Sequence, residues 1–283
     1  MASSDLLKVI KHNLTQKPIL DRVFYVPFWE CPYNCDFCCV DSLPGKPQSD
    51  LGAGEEFLFK FLGSLSLQTN KKVGLHYYGG EPLLKPEEFL NVARRAVSHP
   101  AISKVYLYST LRPPKSVETI KQLPSDKIRV VVNDFTANEK VKHAMQELAG
   151  VAEYYSNPTV FHTGRARNIE GEVKKFSSEK IKKTFFEKVL PPSLPGRSCF
   201  ANASGPLINV AHQKVHLCCL PQSPVVGDFA SDTDQLVKKY IASLQEFHKK
   251  TYQDMKKCGH THACQSCEKW SAWDTRKVPA FSI

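Results

Sequence analysis

Three cysteines stand close together near the start of the chain: Cys31, Cys35 and Cys38, in the stretch Cys31-Pro32-Tyr33-Asn34-Cys35-Asp36-Phe37-Cys38. Thiolates are soft ligands, and three in one short loop can hold three irons of a four-iron, four-sulfur (4Fe–4S) cluster. The fourth iron is then left without a protein ligand, and an open metal position is where a small molecule binds and reacts. The spacing therefore points to a redox enzyme whose fourth iron ligand is a small molecule. Zinc is the rival. Zinc sites favour paired C-x2-C knuckles closed by a fourth ligand. Cys39 offers a fourth thiol, but adjacent cysteines chelate one ion poorly.

The chain holds ten cysteines, grouped at 31–39, 218–219 and 258–267, with Cys199 alone. Grouping with short spacers, and no export signal in residues 1–17, favours metal ligation in a reducing cytosol over a disulfide framework. A second chemical motif is Gly79-Gly80-Glu81-Pro82, about 40 residues after the cysteine loop. Glycines permit close backbone approach, and a carboxylate there can pair with an ammonium.

These motifs need a scaffold, and the apolar patterning supplies one. Runs at 23–29, 72–78, 104–109 and 127–132 read as buried strands, with a further strand within 152–160. Helical spacing marks 55–67, 86–98, 116–122 and 137–148, and a short helix with its linker lies at 6–20. Alternation of this kind predicts a parallel sheet or barrel, α/β in class, with chemistry at the C-terminal strand ends. Cys31, Gly79–Glu81, Ser109–Thr110 and Asn133–Asp134 all fall at such ends. Helix capping is the plainer reading of the last two pairs. The linker 191–196 marks a boundary. A small hairpin (207–210 and 214–218) and a long amphipathic helix (233–257) follow it. The expected division is an N-terminal extension 1–21, a barrel domain 22–190 and a C-terminal domain 191–283. Residues 161–195, with a helix from about 178, have no assigned place.

The triad with an aromatic at Phe37, together with Gly79–Pro82, resembles the radical S-adenosylmethionine (SAM) superfamily. The resemblance covers most of 22–160 and 196–270. It implies a partial (β/α)6-type TIM barrel, although fewer than six strands are evident. It also implies a 4Fe–4S cluster on Cys31, Cys35 and Cys38 that binds and cleaves SAM to a 5′-deoxyadenosyl radical. Phe37, Gly79, Gly80, Glu81, Pro82, Ser109, Thr110, Asn133 and Asp134 would then meet SAM. Cys199, the hairpin ending at Cys218, Gly227-Asp228-Phe229 and Cys264-Gln265-Ser266-Cys267 resemble the SPASM/Twitch extension of that superfamily. That implies a small C-terminal iron–sulfur domain whose auxiliary 4Fe–4S cluster is held by Cys199, Cys218, Cys264 and Cys267. Zinc is a stronger rival at these four than at the first loop.

Cys39, Cys219 and Cys258 remain. Such residues are mostly small buried hydrophobes. Cys258 is the candidate hydrogen-atom donor for an epimerase, and it can instead be a ligand replacing Cys218. Arg165 and Arg167 are candidates for a substrate carboxylate or phosphate. His260 and His262 read as surface or packing residues.

The 283 residues, 42% hydrophobic and 23% charged, suffice for a sizeable core, and no apolar run reaches the length of a membrane span. The net charge of +10 raises nucleic acid as a partner. Much of the excess lies along 174–188 and 238–257 without interleaved aromatics, as solvated helix faces do. The expected activity is hydrogen abstraction from an unactivated carbon of a biosynthetic intermediate in natural-product chemistry, with epimerisation first. Alcohol dehydrogenation and maturation of a ribosomal peptide are the alternatives. Only about 20 residues precede the first strand, too few for a peptide-recognition domain there. The expected partners are a small-molecule or peptide substrate and an electron donor such as flavodoxin or ferredoxin, in the cytoplasm, with no membrane. A zinc-stabilised nucleic-acid-binding protein is the reading from outside enzymology.

Overall fold

The computed structural model describes residues 20–35, 38, 40, 42–45, 51–133, 138–155, 205–221 and 223–258. The first half alternates strand and helix: β1 (Arg22–Val26), α1 (Leu51–Thr69), β2 (Val73–Tyr77), α2 (Pro86–Ser98), β3 (Ile102–Tyr108), α3 (Ser116–Lys121), β4 (Ile128–Asn133), α4 (Glu139–Glu147) and β5 (Ala152–Tyr155). A 3-10 turn, Pro82–Leu84, lies between β2 and α2. The second half adds β6 (Leu207–Asn209), β7 (Lys214–His216), β8 (Val225–Asp228) and α5 (Thr233–Cys258).

All eight strands form one sheet in the order β5-β4-β3-β2-β1-β6-β7-β8. From β5 to β6 every pairing is parallel, and β7 and β8 continue antiparallel. The architecture is α/β with a parallel-dominated sheet, and it contains six parallel strands. Because β1 to β5 are neighbours in chain order, right-handed crossovers place their helices on one face. Val23, Tyr25, Leu75, Tyr77, Val105, Leu107, Ile128, Val130 and Val132 are buried on that face. The Tyr77 ring meets Phe89 of α2 edge-on at 5.2 Å.

One pairing has no counterpart in the sequence reading. β6 lies parallel against the free edge of β1, with Phe24 opposite Leu207 and Val26 opposite Asn209. The described part of segment 191–283 thus prolongs the sheet of the first half. α5 packs on α1, where the Phe57 and Phe229 rings stack at 4.0 Å and Gln68 donates to the Asp234 carbonyl at 3.0 Å. β8 was not expected as a strand. Residues 6–19 of the expected helix and linker, and the segment 161–195, lie outside the described residues. Among the described residues no helix is long and apolar enough to cross a membrane.

Candidate functional site

β1 leads directly into the cysteine loop. Phe28 and Trp29 are buried and anchor its root. Glu30 makes a parallel bridge to Leu43, and the Cys31 N–H donates to the Leu43 carbonyl at 3.3 Å, so the loop is closed at its base. Inside it the Cys38 N–H donates to the Cys35 carbonyl at 3.1 Å, which puts both residues on one bend. The Ser42 N–H donates to Cys38 Sγ at 3.4 Å, while the Ser42 hydroxyl donates to the Gly79 carbonyl at 2.9 Å. Ser42 therefore ties the cysteine loop to the glycine motif.

Cys31, Cys35 and Cys38 are half-buried thiols. Burial pushes the Cys31 thiol up to about 11, and the charges of Glu81, Cys35 and Cys38 add in the same direction. The thiol is protonated at neutral pH, so loading a metal must displace its proton. Among the described residues no three His, Cys, Asp or Glu side chains gather as a single-ion site. A cubane asks for a different arrangement, one thiolate on each of three separate irons. Three mutually interacting soft donors on one strand-end loop fit that demand.

Gly79 and Gly80 are required by geometry. Gly79 has φ +126°, and a Cβ on Gly80 would run into the Glu30 carbonyl. The Gly80 and Glu81 N–H groups donate to the carbonyls of Phe28 and Glu30 at 3.1 and 3.0 Å. The turn after β2 is thereby laid against the root of the cysteine loop.

Glu81 is 2% exposed. One carboxylate oxygen accepts from the Ser109 hydroxyl at 2.7 Å and the Leu83 N–H at 3.2 Å. The other accepts from the Thr110 N–H at 2.8 Å and the Thr110 hydroxyl at 2.7 Å. Burial pushes the Glu81 carboxyl up from its ordinary range, and these donors push it back. With four donors on a carboxylate, an ammonium would have to displace one of them to reach it. Ser109 and Thr110 cap no helix, since α3 starts after Lys115. They accept from the Leu111 and Arg112 N–H groups in turn, and the Arg112 guanidinium lies 5.2 Å over the Tyr33 ring in the cysteine loop. The loops after β1, β2 and β3 are thus one interlocked unit.

On the sheet face away from the helices, period-two alternation brings together Phe24, His76, Tyr106 and Tyr108, with Tyr78 just beyond β2. His76 stacks on Tyr106 at 4.5 Å, and its Nδ1 lies 3.0 Å from the Tyr108 hydroxyl. Phe24 contacts His76 and Tyr78. Burial lowers the His76 pKa to about 3, so the ring is neutral. The sequence reading missed this cluster, although the alternation Gly74-Leu75-His76-Tyr77-Tyr78 carried a signal for it.

Cys218 and Cys219 lie two and three residues after β7, both 4% exposed. The Cys218 thiol is lowered chiefly by a hydrogen bond with Cys219. Ser223 Oγ accepts from the Cys218 N–H at 3.2 Å and donates to the Cys218 carbonyl at 3.3 Å. Asn133 ends β4 and Cys258 ends α5. Phe37, Cys39, Asp134, Arg165, Arg167, Cys199, His260, His262, Cys264 and Cys267 lie outside the described residues.

Comparison with solved structures bears on this arrangement. BtrN, crystallised in complex with AdoMet and 2-DOIA, matches at a TM-score of 0.57 and 14% identity, over 94% of this chain and 100% of BtrN. The likeness is one of fold: the chain shares the fold of BtrN. BtrN in an open conformation matches at a TM-score of 0.47 and 13% identity, over 83% of this chain and 87% of that one. Native anSMEcpe with bound AdoMet and Cp18Cys peptide matches at 0.48 and 14%, over 94% and 93%. No protein-family model and no curated sequence matches the chain.

Proposed function

We propose that the protein is a radical SAM enzyme acting on an unactivated carbon of a biosynthetic intermediate. One observation carries the reading: Cys31, Cys35 and Cys38 sit at the end of β1, tied through Ser42 to a glycine turn that is itself locked to the next strand end. Cys31, Cys35 and Cys38 would hold a 4Fe–4S cluster through three irons, leaving the fourth to SAM. Gly79 and Gly80 let the backbone after β2 approach closely, and Pro82 starts the turn behind them. Glu81, Ser109 and Thr110 fix the shape of that wall. Phe37, Asn133 and Asp134 complete the SAM-facing set proposed from sequence. Cluster and SAM together supply a carbon-centred radical that removes a substrate hydrogen atom.

Cys199, Cys218, Cys264 and Cys267 are proposed to hold an auxiliary 4Fe–4S cluster in a SPASM/Twitch-like C-terminal unit. Epimerisation is the leading outcome, with Cys258 as the hydrogen donor. A small-molecule substrate gains support from BtrN, solved with 2-DOIA, and dehydrogenation of an alcohol is the second reading. An iron–sulfur or flavin protein of the flavodoxin or ferredoxin kind would deliver the electron, in the cytoplasm.

The deciding experiment counts iron, sulfide and zinc in anaerobically reconstituted protein beside a triple Cys31/Cys35/Cys38→Ala variant. About eight irons falling to about four, with loss of SAM cleavage, is the expected result. Zinc without sulfide overturns the reading. Cys258→Ala should keep SAM cleavage and stall an epimerised product. Unchanged turnover removes Cys258 from the mechanism and leaves dehydrogenation standing.

A further inference from the structure

A buried chain of hydrogen bonds, running through side chains and through the backbones of Ser223 and Cys218, joins the two cysteine-bearing regions. It starts at Trp29, two residues before Cys31, whose indole N–H donates to Asn209 Oδ1 at 3.1 Å across 180 residues of sequence. Asn209 ends β6, and its Nδ2 faces His216 Nε2 at 3.5 Å. His216 Nδ1 lies 3.1 Å from the Ser223 carbonyl. Ser223 Oγ clamps both the N–H and the carbonyl of Cys218.

The donors and acceptors admit a single assignment. A carbonyl only accepts, so His216 carries its hydrogen on Nδ1 and presents a lone pair at Nε2. Asn209 must then turn its amide N–H towards His216 and its oxygen towards Trp29. That oxygen also receives His212 Nδ1 at 3.3 Å. Trp29, Asn209, His216 and Ser223 are all 6% exposed or less. Apolar side chains would fill such positions at no desolvation cost, and a buried network is stable only while every member is satisfied. Packing alone therefore does not account for four polar groups in register. The 3.5 Å link is the longest, hence the weakest, and it lies midway between the two regions.

We propose that Asn209 is a positioning residue that couples the two cysteine regions, so that a change at the Cys218 segment is passed through His216 and Asn209 to Trp29 at the root of the Cys31 loop. The proposal rests on the functional reading above only in supposing that both regions hold clusters. The coupling itself is a property of the metal-free chain.

The test is NMR of the full-length, metal-free protein with 15N-labelled tryptophan, the Trp29 indole being assigned with Trp29→Phe. Ser223→Ala, at the far end, should shift the Trp29 indole resonance and speed its hydrogen exchange by up to about tenfold, the equivalent of one buried hydrogen bond. Ser223→Thr, which keeps the hydroxyl, should restore both. In a His216→Phe background, Ser223→Ala should have no further effect on Trp29. An unmoved indole in Ser223→Ala overturns the coupling, and so does a shift that persists undiminished in the His216→Phe background. In iron-loaded protein, Ser223→Ala should also move the midpoint potential of the cluster on Cys31, Cys35 and Cys38, whereas an unmoved potential would refute the coupling in the loaded state. A protein that takes up no iron would sink the functional reading while leaving the indole experiment fully interpretable.

Discussion

The two cysteine regions are held differently. The Cys31 loop is half-buried and secured mostly through backbone groups: the bridge of Glu30 to Leu43, the amides of Gly80 and Glu81, and the turn from Cys35 to Cys38. The Cys218–Cys219 segment is sunk in the core, where Ser223 and His216 side chains add to the backbone bonds of Leu217 to Pro224 and Ser223 to Leu220. The thiols of the first loop are half-buried, where those of the second are buried. The added side-chain fastening gives the second region a fixed place and little room to move. A site where small molecules must arrive and leave suits the first design, and a site that only has to stay in place suits the second.

Glu81 is the point at which that contrast breaks most visibly. Glu81→Ala strands two hydroxyls and two amides around a buried void, and should cost about 3 kcal/mol or more of unfolding free energy in urea titrations. The same variant should shed iron from the first loop. Retained stability would mean that the interlock of the three strand ends is dispensable.

Acid separates the aromatic cluster from the second region through their buried histidines. His76 lies on β2 in the aromatic cluster and His216 on β7 beside the second region, and burial lowers them to about 3 and about 4. The unfolded chain binds these protons near pH 6.5, well before the folded chain does. Stability therefore rises with pH through this range and is lost as pH falls below about 6.5. The loss due to His216 is complete near pH 4, and that due to His76 continues to about 3. Urea midpoints against pH should show this acid limb. His76→Gln should flatten its lowest part, while an unaltered limb would place the His76 ring in a wetter setting than its stacking on Tyr106 implies.

The smallest effect concerns Arg112 over Tyr33. Arg112→Ala should lower stability by only about 0.5–1 kcal/mol, the scale of a partly exposed cation–π contact. Its sharper readout is the tyrosine: loss of the guanidinium should raise the Tyr33 phenol further above its ordinary range, since the Arg112 charge is among the influences holding it down. An unchanged spectrophotometric titration would detach the β3 end from the cysteine loop.

What could be read without coordinates follows from how local each signal is. The strand expected at 72–78 is β2 at Val73–Tyr77, and the helix expected at 86–98 is α2, because apolar period and flanking breakers are short-range features. The helix expected at 55–67 extends over Leu51–Thr69. The cysteine triad and Gly79–Glu81 stand out for the same reason, their spacing being a short-range feature of the sequence. The contacts made by Glu81 were not. A carboxylate that looks available in sequence is saturated by the Leu83 amide and by Ser109 and Thr110, 28 and 29 residues away. The Asn209–His216 link needed the hairpin register, in which Leu207 opposes His216 and Asn209 opposes Lys214. Nor could three-residue β6 reveal its parallel partner, since nothing in Leu207–Asn209 encodes a neighbour so far upstream.

That distant partner sets a timetable for synthesis. β1, with its run Val23-Phe24-Tyr25-Val26, receives β2 soon after it leaves the ribosome, but its other edge stays unsatisfied until Leu207–Asn209 emerge. At roughly 5–20 residues per second, the 180 residues between Trp29 and Asn209 take about 10–40 seconds to make. Throughout that interval an apolar strand edge, the kind that recruits other nascent chains, lies open beside the cysteine loop. A chaperone that covers this edge during synthesis should therefore raise the yield of folded chain.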